Sequence, residues 1–187
     1  LLTWNIGYAG LDSEMDFFYD GGTKVITPKE KCTENLAGIA SFLKGNDTID
    51  FMLIQEIDRK SKRSYRVDQF EDISSVLSGY ENYFAKNYDV FFVPLPPSNP
   101  MGRVLSGMAL FSDYVPASVT RVSLPGKYGF PVQLFQLDRC FIETRYKVEN
   151  GKELVLINTH NEAFDSEGTI RKAQMERLRE VVLSEYN

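Results

Sequence analysis

A chain of 187 residues fits one domain, and such a domain can bury roughly 70% of the surface that its unfolded form exposes. With 43% hydrophobic and 25% charged residues it has an ordinary globular composition, which excludes a disordered or membranous class. The net charge of −5 argues against nonspecific gripping of nucleic acid, which relies on clustered Lys and Arg, although a locally basic or metal-bridged cleft stays compatible with it.

In chain order, residues 1–6 read as a strand, and 12–27 as an irregular loop rich in Asp, Gly and aromatic residues. Thr27-Pro28-Lys29-Glu30 reads as a helix start: Thr as N-cap, Pro at the first helical position and Glu completing a capping box. Cys32, Leu36, Ile39, Ala40 and Leu43 follow at helical spacing until Gly45-Asn46-Asp47 ends the run. Phe51-Met52-Leu53-Ile54 is a short apolar run that stops at Gln55-Glu56. Phe70, Ile73 and Leu77 share one face of a second helix predicted over 67–77. Apolar runs then recur at 89–94, 107–112, 132–137, 140–148 and 154–159. The stretch 94–100 must be a loop, because four prolines remove donors and fix φ. A final amphipathic helix is predicted over 169–186, with Ile170, Ala173, Leu178 and Val181 turned inward.

Several of these strands are apolar without alternation, as expected for strands covered on both faces. Strands outnumber helices and often follow one another directly. That pattern favours an α/β (α+β mixed) fold, a four-layer α/β/β/α sandwich of two mixed β-sheets flanked by helices. Cys32 and Cys140 are far apart, so they make no disulfide framework or zinc spacing and read as buried thiols. No apolar run reaches the ~18 residues that a bilayer-spanning helix needs. The chain has no initiator Met and opens inside a strand-like stretch, so a preceding segment with any signal or anchor is expected to be missing, which leaves localisation unread.

Three strands end in groups that an apolar core does not want. These ends are Thr3-Trp4-Asn5-Ile6-Gly7, Ile54-Gln55-Glu56 and Asn158-Thr159-His160, the last holding the sole histidine of the chain. Singly each has a plain reading: Asn5 as a turn cap, Glu56 as a partner of Arg59 or Lys60, His160 as a solvated ring. Together they suggest one rim suited to a hard cation and a phosphate. Mg²⁺ prefers oxygen ligands and keeps several waters, so one carboxylate with an amide oxygen is a reasonable protein contribution.

The stretches TWNIG, LIQEID and INTHNEAF, in that order, resemble the signatures of the endonuclease/exonuclease/phosphatase superfamily. Ser106-Gly107-Met108-Ala109-Leu110-Phe111-Ser112 is similar to its Gly-x-Ala-x-x-Ser strand, and Asp138-Arg139-Cys140-Phe141 to its arginine-led strand. The resemblance covers essentially residues 1–187 as a single domain. It implies Glu56 and Asn5 on the metal side, with Mg²⁺ or Mn²⁺ as cofactor. It further implies His160 and Asn5 as catalytic residues and Arg139 and Asn158 as phosphate-binding ones, with Gln55 supporting Glu56.

The implied chemistry is metal-assisted hydrolysis of a phosphoester, in which the cation draws charge from the phosphoryl oxygens while an activated water attacks in line. The sequence departs from the family in lacking a Gly-Asp-x-Asn segment and a late Asp-His pair. The expectation is therefore a domain lacking its C-terminal strands and motifs, with 1–187 inactive by itself. The rival expectation is a noncatalytic binding module that keeps the fold. The run Asp58-Arg59-Lys60-Ser61-Lys62-Arg63-Ser64 puts four cations beside Glu56, either as a solvated loop or as a grip on a phosphate-rich substrate such as nucleic acid, a phosphoinositide or a phospholipid head group. No obligate protein partner is evident.

Overall fold

The computed structural model describes residues 1–126, 138–162, 165 and 167–185. The run expected at 132–137 lies outside them, as do Ala163 and Phe164 of the INTHNEAF stretch.

Four strands, β1 (Leu2–Asn5), β2 (Phe51–Asp58), β3 (Glu81–Val93) and β4 (Gly102–Ser112), form one sheet in the order β1-β2-β4-β3. Only β1 and β2 run parallel; the other pairs are antiparallel, so this sheet is mixed. A second sheet is made of β5 (Ser118–Ser123), β6 (Cys140–Lys147) and β7 (Glu153–Thr159) in chain order. Among the described residues this second sheet is wholly antiparallel rather than mixed. Short connections favour that arrangement, since a parallel pair needs a long crossover.

Helices α1 (Lys29–Gly45) and α2 (Gln69–Val76) cover one face of the first sheet. Cys32, Ile39 and Leu43 of α1 and Phe70 and Ile73 of α2 share a core with Met52, Ile54, Ala109 and Phe111 of the central strands. The opposite face meets the second sheet, where Ala85 and Met108 pack on Cys140 and Ile142. On the far side, α3 (Thr169–Ser184) presents Ile170, Ala173, Leu178 and Val181 as half-buried residues, and Arg145 of β6 reaches Glu185 at 2.6 Å. Strands β2 and β4 are buried nearly throughout and so need cover on both faces, which α1 and α2 supply on one side and the second sheet on the other.

The starts of α1 and β3 differ from expectation, and β5 and the α2 cap are additions to it. Helix α1 starts after Pro28, which is its N-cap and gives no side-chain cap, while Thr27 is buried and accepts from the Tyr65 hydroxyl. Strand β3 begins well before residue 89, and β5 was not signalled, because its half-exposed residues contain no continuous apolar run. At α2, Asp68 caps the helix by accepting from the Glu71 amide.

Candidate active site

Strand β2 does not deliver Glu56 as an ordinary strand residue. Gln55 pairs with Met108 and Ile57 with Gly107, so Glu56 is the extra residue of a bulge, and its φ is +53°. A bulge bends its strand and re-aims one side chain. Here it turns the carboxylate toward the rim where β1 and β7 end.

At that rim the Asn5 amide Nδ2 donates to Glu56 Oε1 at 2.9 Å. His160 Nε2, from the segment just past β7, lies 3.3 Å from the same oxygen. Three strand ends of two sheets thus converge on one carboxylate, with the Glu56 and His160 side chains 25% and 21% exposed, accessible yet largely shielded. Burial alone would raise the Glu56 carboxyl. The hydrogen bonds from His160 and Asn5, with the charges of His160 and Arg63, outweigh it and hold the group down at about 2. Glu56 is an anion at neutral pH.

The segment carrying His160 is tied at several points. The Thr159 hydroxyl donates to Asn161 Oδ1, the Glu162 amide donates to Gln174 Oε1 of α3, and the Glu162 carboxylate meets Arg139.

Three of the expected site residues make other contacts in the structure. Asn5 does not offer an oxygen ligand: the Gly7 amide donates to Asn5 Oδ1 at 3.0 Å, so the nitrogen faces Glu56. Flipping the amide would set two donors face to face. Asn5 donates to the carboxylate instead. Asn158 is not at the rim for phosphate; it is 2% exposed, its nitrogen donates to the Ile54 and Ala109 carbonyls, and its oxygen accepts from Gln55. Arg139 is 6% exposed and its Nε sits 3.5 Å from the buried Glu162 carboxylate, an ion pair rather than an open phosphate contact. Gln55 donates to Thr3 and Asn158 and so ties β1, β2 and β7 behind Glu56.

The charge run after β2 is neither a solvated loop nor a phosphate grip as a whole. Arg63 is buried on Asp58 through two bonds of 2.9 and 3.0 Å and covers the Tyr8 ring at 3.8 Å. Arg59 pairs with Asp68 over Phe70 and Phe84, and Lys62 donates to the Pro100 carbonyl. Lys60 is exposed and makes no such contact among the described residues. The loop aromatics Phe17, Phe18 and Tyr19 join Val25, Val90, Val93 and Val104 in a core of their own.

For a hard cation, this donor set is one ionised carboxylate. Among the described residues no group of three or more His, Cys, Asp or Glu could hold a metal. A single carboxylate is not a closed protein cage, so a cation held there would draw its other ligands from water.

The chain shares its fold with solved structures described as endonuclease/exonuclease/phosphatase proteins. The chain is similar to the endonuclease/exonuclease/phosphatase from Beutenbergia cavernae DSM 12333, at 20% identity and a TM-score of 0.60, covering 96% of this chain and 42% of that one. It is similar to ANGEL2, a 2',3'-cyclic phosphatase, in complex with adenosine-2',3'-vanadate, at 16% identity and a TM-score of 0.59, over 92% of this chain and 44% of that one. A third likeness is to the endonuclease/exonuclease/phosphatase from Bacteroides vulgatus, at 16% identity and a TM-score of 0.57, over 96% and 59% of the two chains. The chain therefore spans between 42% and 59% of the length of these structures. No protein-family model matches the chain, and no curated protein does. Among the described residues no helix is long and apolar enough to cross a membrane.

Proposed function

We propose that the chain supplies the metal-side and phosphate-side residues of a divalent-cation-dependent phosphoester hydrolase. The observation that carries this reading is the convergence of Asn5, Glu56 and His160 on one rim, at 2.9 and 3.3 Å from a single carboxylate oxygen. The likeness of fold to phosphatases and nucleases supports it.

In this reading Glu56 holds Mg²⁺ or Mn²⁺ through its ionised carboxylate, and the cation, when bound, withdraws charge from the phosphoryl oxygens. Asn5 keeps the carboxylate in one orientation. The His160 Nε2–H, which meets Glu56 in the free chain, would turn to a phosphate oxygen as charge develops there. None of these residues is assigned as the general base. A phosphate ester of a nucleotide is the first substrate class to try, since ANGEL2 is a 2',3'-cyclic phosphatase seen with adenosine-2',3'-vanadate. Phosphoinositides and phospholipid head groups come next.

Calorimetric titration of Mn²⁺ into the chain and into Glu56→Gln tests the metal side. Binding to the first, with affinity lowered at least ~10-fold in the second, is expected for loss of a ligand. Equal binding by the two would remove Glu56 from the metal and overturn the reading.

A further inference from the structure

The two segments that carry Asn5 and Glu56 are both in backbone conformations that L-residues disfavour. Gly7, Tyr8 and Ala9 follow one another at φ of +51°, +43° and +56°, and Glu56 sits at +53°. Such conformations persist only where surrounding contacts fix them. One side chain reaches both. Gln69, the first residue of α2, is fully buried; its Nε2 donates to the Tyr8 carbonyl at 2.7 Å, and its Oε1 accepts from the Asp58 amide at 3.0 Å.

An unbranched amide is suited to this task, because it carries a donor and an acceptor on one rigid plane. One end holds the turn that begins two residues after Asn5. The other holds the strand two residues beyond Glu56. A parallel bridge runs beside it, from the Tyr8 ring through the Arg63 guanidinium to the Asp58 carboxylate, at 3.8 Å and 2.9 Å. The Arg63 bridge has its own charges to satisfy. Of the two Gln69 side-chain bonds, one goes to the strained Tyr8 itself and the other to Asp58, two residues past the strained Glu56.

We infer that Gln69 is a positioning residue, a buried amide strut that sets the spacing of the Asn5 turn against the Glu56 bulge and so keeps the Asn5–Glu56 hydrogen bond formed. This rests on the reading of Glu56 as the metal carboxylate only for its effect on metal binding. The strut itself is a statement about the free chain.

The test uses the ¹⁵N-labelled chain without metal, followed by Mn²⁺ titration. Gln69→Met keeps the shape and length of the side chain and removes both bonds. The Asn5 side-chain amide signal, assigned by its loss in Asn5→Ala, should move toward the position of a solvated amide, and Mn²⁺ affinity should fall ~10-fold. Thr144→Val is the control: it removes a buried hydroxyl that donates to the Leu156 carbonyl, away from the rim, and should lower the melting temperature while leaving both readouts unchanged. If Gln69→Met does not fold, Gln69→Leu also removes both bonds with an apolar side chain, and the same shift of the Asn5 signal is expected. A lowered melting temperature with an unmoved Asn5 signal in whichever variant folds would make Gln69 a structural residue only and overturn the inference. Absence of Mn²⁺ binding by the unmodified chain would sink the metal reading, while the Asn5 signal would still decide the role of Gln69.

Discussion

Gln55 Nε2 donates to Asn158 Oδ1 at 2.7 Å across the interface between the two sheets, from residues that stand directly before Glu56 and two before His160. With the Asn158 bonds to the Ile54 and Ala109 carbonyls, this contact locks β7 onto β2 and β4. The distance between the carboxylate and the imidazole is therefore set behind the rim, in the buried layer between sheets. Asn158→Leu should leave the Gln55 amide and the two carbonyls without this partner. A loss of about 2–3 kcal/mol of stability is expected for such buried polar groups, read as a lowered urea midpoint at unchanged slope. A midpoint within error of the unmodified chain would show that the clamp contributes nothing.

The Arg63–Asp58 pair gives the sharpest stability forecast. Both side chains are shielded, at 8% and 0% exposure. Arg63→Met strands a buried carboxylate and should cost about 3–5 kcal/mol, the range for breaking a buried pair from one side. Combining it with Asp58→Asn should restore part of that loss. An exposed loop arginine, as the charge run by itself suggests, would give less than about 0.5 kcal/mol in the same urea titration.

His160 makes a kinetic forecast, measured in a hydrolytically active protein that contains this chain. His160→Ala should lower kcat by ~10²–10³-fold with little change in KM, as removal of one preorganised donor to a developing anion does. His160→Gln, which keeps a donor, should recover part of it. An unchanged kcat beside a lowered melting temperature would make the ring a structural cap.

The sequence has neither a Gly-Asp-x-Asn segment nor an Asp-His pair. Residues 1–187 alone should accordingly give no measurable turnover of a chromogenic phosphodiester with Mg²⁺ or Mn²⁺. Turnover that depends on Glu56 would place the general base within residues 1–187.

Burial pushes the Cys140 thiol up to about 11 and raises that of Cys32 as well. At pH 8 the Cys140 thiolate is then only about a thousandth of the population. Ellman's reagent should label neither cysteine in the folded chain and both in urea. Prompt labelling under native conditions would contradict the burial of these residues.

What the sequence by itself determined is the set of strand ends. Apolar runs that stop at Asn5, Glu56 and His160 identified the residues that meet at the rim, because a buried strand tolerates such groups only where it leaves the core. It also fixed the layering, since β2 and β4 are too apolar to face water on either side. Tertiary structure decided how those residues are used. Whether Asn5 turns oxygen or nitrogen toward Glu56 depends on the Gly7 amide, and whether Asn158 binds phosphate depends on the sheet packed above it. Arg63 and Lys60 are equal cations in a sequence, yet one is sealed against Asp58 and Tyr8 while the other is exposed. The Glu56 bulge and the Gln69 strut left no pattern to read, because both arise from contacts between segments far apart in the chain. Hydrophobic periodicity records which way a residue faces; partners for a buried polar group are chosen only once the layers have closed.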